Sequence, residues 1–254
     1  MAVVEYEKRG KIATITINRP GAMNAMNREV YRLLEQALED VERDDGVWVA
    51  IVTGAGDRAF SAGADLKEYA REPFAEFFQR SFPRWYHSMF SIKPFIAAIN
   101  GYCLAGGLEL AMACDIRIAS ENAQLGSPEV RWGVLHGWGA TTLPKSVPMS
   151  SALEMLLSGE FINAQEAYRL GMVSRVVPPD KLISTAESLA DRICENAPLA
   201  VRVTKELAYR GWNLSPGDAE RLVHSIAANL ASTEDAREGP KAFAEKRKPI
   251  FKAK

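Results

Sequence analysis

A strand that runs through a small-residue turn into a helix constrains this chain more than any other feature. The apolar run 95–99 predicts a buried strand, and it leads to Ala105, Gly106 and Gly107. The helix that follows carries one carboxylate, Glu109. Glycine lets a ligand approach the backbone, and the first amides of a helix lack internal partners. These amides could hold an oxygen that becomes negative during a reaction, beside a carboxylate that moves protons. The alternative for Glu109 is an ordinary partner of the helix dipole.

A second carboxylate lies in a predicted capped turn 20 residues further on. In this turn Ser127 is the expected N-cap, Pro128 the first helical residue and Gly133 the terminator. A helix followed by a strand returns the chain to the same edge of a sheet, so we expect Glu129 to converge with Glu109. Two carboxylates in one pocket can divide acid and base work when their surroundings separate their pKa values. Alone, Glu129 would be interpreted as a solvated loop residue.

A third small-residue segment, 60–66 (Phe-Ser-Ala-Gly-Ala-Asp-Leu), follows a predicted strand, where open α/β sheets place ligands. Together with segments 100–109 and 126–133 it has the order and spacing of motifs in the crotonase superfamily. Within that superfamily the chain resembles enoyl-CoA hydratases, and the likeness extends from Ile12 to Arg247. Three motifs in register indicate the superfamily more strongly than any single reaction within it.

The elements follow from hydrophobic periodicity and capping signals. Alternating or continuous apolar residues predict strands at 12–17, 47–53, 95–99 and 116–119. Helical spacing predicts helices at 27–44 behind an Asn27 cap, 183–193, 201–209 and 219–230. Two capping boxes, beginning at Ser151 and Asn163, each predict a further helix, the second closed by Gly171.

The fold class predicted from this pattern is α/β, with strands alternating with helices up to about residue 180 and helices alone beyond it. The resemblance implies a crotonase-like spiral of ββα units over residues 1–195, holding the CoA and acyl site. It further implies a C-terminal α-helical trimerisation region over residues 196–254, which covers the nucleotide end of the ligand. The expected assembly is a homotrimer or a homohexamer built from two trimers.

The resemblance also implies a mechanism. The backbone amides of Ala64 and Gly106 would form an oxyanion hole for the thioester oxygen of a 2-enoyl-CoA. Glu109 and Glu129 would position and activate the water that adds at C3, and the amide of Gly137 would help to hold that water. Which glutamate is the base and which the acid stays open.

Coenzyme A is the carrier that the resemblance implies, as part of the substrate, with no separate cofactor. The corresponding CoA-binding positions are Ala22, Met23, Ala62, Ala64, Leu66, Lys67, Phe243 and Lys246. The cationic tail around Lys246 suits a polyanionic ligand, although a solvated tail explains it equally well. Gly21 departs from the lysine that some hydratases carry there, which would weaken one phosphate contact.

The segment after Glu129 departs further from the pattern of hydratases. Trp132, His136 and Trp138 are expected to line the acyl pocket, where their bulk would restrict the acyl group. His136 stands where many hydratases have proline. We interpret it as a turn residue hydrogen-bonded to backbone, with a role as a third proton-transfer group as the alternative.

Composition excludes several other classes. The net charge of −1 over 254 residues provides no basic surface for nucleic acid, and no apolar run is long enough to span a membrane. The N-terminus lacks the apolar stretch of a signal peptide, and the three cysteines are expected to be reduced core residues of a cytoplasmic protein. The three histidines, His87, His136 and His224, have no shared helix-turn spacing, so no metal site is expected.

Three hypotheses remain. The first is an enoyl-CoA hydratase for short or medium acyl chains. The second is another acyl-CoA reaction in the same oxyanion hole, such as dehydration of a specialised hydroxyacyl-CoA, double-bond isomerisation or thioester hydrolysis. The third is a crotonase-like protein that binds RNA or a partner with little catalysis, which the presence of both glutamates and the lack of a basic helix disfavour.

Overall fold

Two sheets carry the strands of this protein, which a computed structural model describes over residues 2–70 and 91–254. Six of the described strands form the larger sheet, in the spatial order β1 (Val4–Arg9), β2 (Ile12–Ile17), β3 (Val49–Gly54), β5 (Phe95–Ile99), β7 (Ile116–Ser120) and β10 (Arg175–Val177). Four form the smaller sheet, in the order β4 (Ala59–Ser61), β6 (Tyr102–Leu104), β8 (Gln124–Gly126) and β9 (Phe161–Asn163). Strand β1 is antiparallel to β2 and β9 to β8, and the other neighbours are parallel.

The helices surround these sheets. The described α-helices are α1 (Arg28–Arg43), α2 (Leu66–Tyr69), α3 (Gly106–Ala113), α4 (Gly139–Ser146), α5 (Met149–Ser158), α6 (Ala164–Arg169), α7 (Leu182–Cys194), α8 (Pro198–Gly211), α9 (Pro216–Ala231) and α10 (Glu234–Ala244). Short 3-10 helices lie at Pro20–Ala22, Glu129–Trp132 and Pro179–Lys181. None of the helices in the described residues is long and apolar enough to cross a membrane.

Consecutive strands alternate between the two sheets. Strands β3, β5 and β7 belong to the larger sheet, and each is followed directly by a strand of the smaller one, β4, β6 or β8. Helices α2 and α3 follow the first two of these pairs. Each successive pair adds one neighbouring strand to each of the two sheets, so the chain winds as a spiral of ββα units. The predicted architecture is therefore confirmed.

The apolar face of α1 packs against one side of the larger sheet. Its buried residues recur at helical spacing, from Val30 and Leu34 to Val41, and join the main core with Ile15 and Ile17 of β2. The Asn27 side chain caps the helix by accepting a hydrogen bond from the Val30 N–H at 3.0 Å. The helix predicted over residues 27–44 is therefore confirmed.

Helix α7 packs against the opposite side of the larger sheet. Its residues Leu182, Ala186 and Ala190 share a second core with β-strand residues that include Ile51 and Ile96. The larger sheet is therefore buried on both faces, which explains why β3 and β5 are apolar at nearly every position.

One of the two predicted capping boxes is wrong. Ser151 lies inside α5, which begins at Met149 directly after Pro148. The Ala152 N–H bonds to the Pro148 carbonyl at 3.0 Å, so the helix has started before Ser151 is reached. Asn163 does cap α6, accepting from the Glu166 N–H at 2.9 Å, and Gly171 ends that helix region with φ +77°.

The short strands of the smaller sheet escaped prediction. Strands β4, β6, β8 and β9 have three residues each, too few for an alternation to be visible. Helix α10 was also missed. The three predicted C-terminal helices are present as α7, α8 and α9, each somewhat longer than expected.

The division predicted at residues 195 and 196 falls in the turn between α7 and α8 and stays a prediction. Helix α9 buries none of its own residues. Large apolar side chains of the C-terminal region are exposed, among them Trp212, Phe243 and Ile250. His87 lies outside the described residues.

Candidate active site

Two small-residue turns meet at the carboxyl ends of β4 and β6. Gly63 has φ +85°, and a Cβ placed on it would lie 2.6 Å from Ala105 Cβ and 2.9 Å from Gly106 N. Only glycine allows this approach. Ala105 itself has φ +53° immediately before α3, a conformation that costs free energy for a residue with a Cβ. The structure therefore brings the predicted oxyanion-hole residues Ala64 and Gly106 into neighbouring turns.

Both predicted oxyanion donors are unused within residues 2–70 and 91–254. Among the hydrogen bonds of the described residues, neither the Ala64 N–H nor the Gly106 N–H has an acceptor. The N–H of the adjoining Asp65 bonds to the Met26 carbonyl at 3.0 Å, and the Gly63 carbonyl accepts from the Met26 N–H at 2.7 Å. The flanking groups thus fix the turn while the Ala64 amide stays available for a ligand.

Asn24 and Ser61 hold the turn around Gly63 in place through hydrogen bonds. The sequence motifs did not indicate this role. Asn24 is fully buried and its side chain donates to the Ala59 carbonyl at 2.6 Å. Ser61 Oγ donates to the Asn24 carbonyl at 2.9 Å and accepts from the Gly63 N–H at 3.1 Å. A buried polar side chain at the end of an apolar strand was the available signal, since such groups need partners.

Arg19 ties the same turn to the segment that precedes α1. Its guanidinium donates to Asp65 Oδ2 at 3.0 Å and also to the Ala25 carbonyl. Both charged side chains are mostly buried, at 21% and 16% exposure. Two elements far apart in sequence are thus held in one wall of the site.

Glu109 lies in the first turn of α3 and is 9% exposed. Its Oε1 accepts a hydrogen bond from the Gly139 N–H at 2.9 Å. A Cβ on Gly137 would lie 2.9 Å from the same oxygen, so the backbone there passes close to the carboxylate. Burial raises the pKa of Glu109, against the lowering influence of nearby His136 and the Gly139 amide. A carboxyl of this kind can exchange protons closer to neutral pH than an ordinary glutamate.

Glu129 is the first residue of the short 3-10 helix, and its side chain is 11% exposed. Ser127 Oγ donates to Glu129 Oε2 at 3.0 Å. The imidazole Nδ1 of His136, itself only 3% exposed, bonds to Glu129 Oε1. Each oxygen of this carboxylate therefore has its own partner.

Three expectations in this turn are wrong. Ser127 does not cap the helix, because its hydroxyl is directed to the Glu129 carboxylate. Pro128 is the residue before the helix rather than its first residue. His136 bonds to a carboxylate and not to backbone, because its ring turns inward. Gly133 does end the helix, with φ +68°.

The two glutamates converge, as expected. Gly139 links them, since its N–H bonds to Glu109 and its Cα lies against the His136 ring that bonds to Glu129. A Cβ at position 139 would overlap with that ring, so glycine is required. The negative charge of Glu129 adds to the raised pKa of Glu109, whereas the interaction with His136 lowers that pKa.

The two tryptophans expected in the acyl pocket differ in their surroundings. Trp138 is partly buried and packs against the main core. Trp132 is 68% exposed at the end of the 3-10 helix. Neither position tests the acyl-pocket assignment, which stays a prediction.

The expected CoA-binding residues fall into two groups. Ala22, Met23 and Ala62 are adjacent, because the Ala62 N–H bonds to the Met23 carbonyl at 3.0 Å. Leu66 and Lys67 follow in the first turn of α2, where Leu66 is 50% exposed.

Phe243 and Lys246 form the second group, at the C-terminal end of α10. Phe243 is 87% exposed, and Lys246 has φ +51°. Across the described residues no hydrogen bond or ion pair joins either of them to the first group.

The cysteines and possible metal ligands are also placed. Cys103 and Cys114 are free and buried, while Cys194 is free and partly buried. Within residues 2–70 and 91–254 no cluster of three or more His, Cys, Asp or Glu side chains could hold a metal ion.

Comparisons with known proteins identify the family of the chain. A family described as enoyl-CoA hydratase/isomerase matches residues 7–254. The short-chain-enoyl-CoA hydratase of Clostridium acetobutylicum is 40% identical over 251 residues, which cover 96% of this chain and 95% of the relative. The (E)-benzylidenesuccinyl-CoA hydratase of Thauera aromatica is 41% identical over 252 residues, 98% of each protein. The solved enoyl-CoA hydratase of Mycobacterium tuberculosis H37Rv has a TM-score of 0.92 at 38% identity, over 100% of both chains.

The chain therefore matches these relatives along nearly its whole length. The chain belongs to the enoyl-CoA hydratase/isomerase family of the crotonase superfamily.

Proposed function

We propose that the protein is an enoyl-CoA hydratase, which adds water reversibly across the C2–C3 double bond of a 2-enoyl-CoA to give a 3-hydroxyacyl-CoA. The observation that carries this proposal is the convergence of Glu109 and Glu129 through Gly139 and His136. Relatives named as hydratases, which are 40% and 39% identical to this chain over nearly its whole length, support the proposal.

The chemistry assigns a task to each group. Water adds through its oxygen to C3, and one glutamate takes the proton that this oxygen loses. The electrons of the double bond move toward the thioester carbonyl, whose oxygen becomes negative and is stabilised by the amides of Ala64 and Gly106. The second glutamate then delivers a proton to C2. Adding one water molecule in this way leaves the thioester intact, and Gly137 is proposed to help hold that water beside Glu109.

Coenzyme A enters this step only as part of the substrate, and the step needs no further cofactor. We assign its binding to Ala22, Met23, Ala62, Leu66 and Lys67. The exposed α2 turn beside the Ala64 amide supports this assignment. Trp132, His136 and Trp138 are proposed to limit the acyl group to a short or compact chain.

The C-terminal positions imply a further proposal. Phe243 and Lys246 would reach the nucleotide of a neighbouring subunit in a homotrimer or a homohexamer. The exposure of Phe243 and of the apolar residues of α8 and α9 supports such an assembly. A cytoplasmic location is proposed with it, and the resemblance of the chain to bacterial hydratases supports that location.

A spectrophotometric assay tests the proposed activity. Crotonyl-CoA absorbs through its conjugated enoyl thioester, and hydration removes this absorbance. We expect fast loss with the wild-type protein and strong loss of rate in Glu109→Gln and in Glu129→Gln. The exposed Glu160 provides a matched control, because Glu160→Gln makes the same chemical change at a solvent-exposed position.

The same assay separates the alternatives. Appearance of free thiol with turnover would indicate a thioester hydrolase instead of a hydratase. Unchanged absorbance with crotonyl-CoA, combined with turnover of a 3-enoyl-CoA, would indicate an isomerase. Full activity in both glutamine variants would contradict the proposed roles of Glu109 and Glu129.

A further inference from the structure

The side chain of His136 contacts Glu129, although no step of the proposed hydration assigns it a role in the reaction. Its Nδ1 bonds to Glu129 Oε1, and it is only 3% exposed. The ring lies against the Cα of Gly139, the residue whose N–H bonds to Glu109. The imidazole therefore contacts Glu129 directly and also contacts Gly139, the residue that holds Glu109.

The backbone on either side of His136 is held firmly. The His136 carbonyl accepts from the Ala140 N–H at 2.8 Å, at the beginning of α4. On the other side the Val134 N–H bonds to the Glu129 carbonyl at 3.0 Å. The imidazole thus has a fixed origin, and absence of a side chain at Gly139 leaves room for the ring in one orientation.

Hydrogen-bond direction follows from what a carboxylate can do. A carboxylate only accepts, and Glu129 Oε2 already accepts from Ser127 Oγ at 3.0 Å. The matching arrangement on Oε1 is donation by the His136 Nδ1–H. Held by one donor on each oxygen, the Glu129 carboxylate cannot rotate about its terminal bond without losing a hydrogen bond.

We propose that His136 is a positioning residue for the hydration step, which orients the Glu129 carboxylate toward the reacting water through Nδ1. This inference rests on the proposed hydratase function. The titratable groups that face its ring are Glu129, which it contacts, and Glu109, with which it interacts by charge.

Two substitutions at position 136 separate positioning from simple packing. His136→Leu fills the space but removes the donor, whereas His136→Asn can place an amide N–H where Nδ1 lies. We expect kcat for crotonyl-CoA hydration to fall about tenfold to a hundredfold in His136→Leu, with KM nearly unchanged. Much of kcat should return in His136→Asn, and the pH profile of kcat should change shape only in His136→Leu.

Two kinetic outcomes overturn the inference while leaving the hydratase function intact. One is a wild-type kcat in His136→Leu, and the other is an equal loss of kcat in both variants. A wild-type protein that does not hydrate any enoyl-CoA would instead overturn the proposed function and this inference with it. The two failures are therefore distinguishable.

Nitrogen NMR of labelled histidine tests the contact without relying on activity. The His136 signals are assigned by their absence in His136→Asn. We expect a protonated, hydrogen-bonded Nδ1 that shifts strongly in Glu129→Gln and hardly in Glu160→Gln. Circular dichroism confirms that each variant is folded. A His136 signal that does not respond to Glu129→Gln would overturn the inference.

Discussion

Gly139 donates its backbone N–H to Glu109 Oε1 at 2.9 Å, which joins the start of α4 to the carboxylate of α3. The same glycine leaves room for the His136 ring, which bonds to Glu129. One residue without a side chain thereby sets the relative placement of two carboxylates that lie 20 residues apart in sequence.

Gly137→Ala should impair catalysis more than stability. The new Cβ would lie 2.9 Å from Glu109 Oε1, so the carboxylate must move by a few tenths of an ångström or more. Misplacement of a catalytic group by about 1 Å can cost roughly a hundredfold in rate. Because the expected shift is smaller than 1 Å, we expect kcat for crotonyl-CoA to fall by at least about tenfold. Gly217→Ala, where a Cβ meets nothing within 4 Å, is the matched control and should keep full activity.

Gly63→Ala should disturb the turn that carries the Ala64 amide. With φ +85° and a Cβ 2.6 Å from Ala105 Cβ, the substitution forces the two turns apart. We expect a loss of about 1–3 kcal/mol in the free energy of unfolding, measured by urea titration, together with a fall in kcat. Gly211→Ala introduces a Cβ into open space and should lower neither the free energy of unfolding nor kcat. Normal activity in Gly63→Ala would show that this turn does not form the oxyanion hole.

Glu109→Gln should stabilise the protein at neutral pH. Burial raises the pKa of Glu109 above its unfolded value near 4.3, so the folded protein holds this proton more tightly. The associated stability is present below the unfolded pKa and is lost as pH rises through the folded pKa. Glutamine has no proton to lose, so we expect a gain on the order of 1 kcal/mol at pH 7 that shrinks toward pH 4.

Thermal unfolding of the wild type and of Glu109→Gln across this pH range measures that difference. The exposed Glu160→Gln variant controls for the loss of a formal charge. A stability difference that grows as pH falls would mean that the folded protein favours the ionised form of Glu109, contrary to its burial.

The cysteines should react slowly while the protein is folded. Burial raises the pKa of Cys114 to about 12, raises that of Cys103 further, and raises that of the partly buried Cys194 to about 11. Because the thiolate is the reactive form, a thiol reagent at pH 8 should label Cys194 first and the other two only on unfolding. Mass spectrometry of partly labelled protein gives the order. Early labelling of Cys103 would contradict its complete burial.

The long elements and the small-residue turn before Glu109 could be predicted from sequence, because their signals are local. Apolar periodicity marks α1 and β5, and a small-residue turn before Glu109 marks the amide site. The three-residue strands of the smaller sheet carry no such signal, since their pairing depends on partners distant in sequence.

The interpretation of His136 was wrong for a related reason. Sequence shows a histidine in a turn but not which way its ring points, and the answer depends on space left by Gly139. The prediction that Ser127 caps the helix was wrong for the same reason, because a serine before a helix can bond either to the backbone or to a nearby carboxylate. Side-chain partners inside the site are set by tertiary packing.

The most direct test of the account is the product formed from crotonyl-CoA in water labelled with heavy oxygen. Mass spectrometry locates the label and reports whether the CoA thioester survives. Hydration predicts an intact thioester that has gained one labelled water molecule at C3. This product should form readily with the wild type and far less with Glu109→Gln or Glu129→Gln. Label in a free carboxylic acid, with release of CoA, or a product of unchanged mass would contradict it.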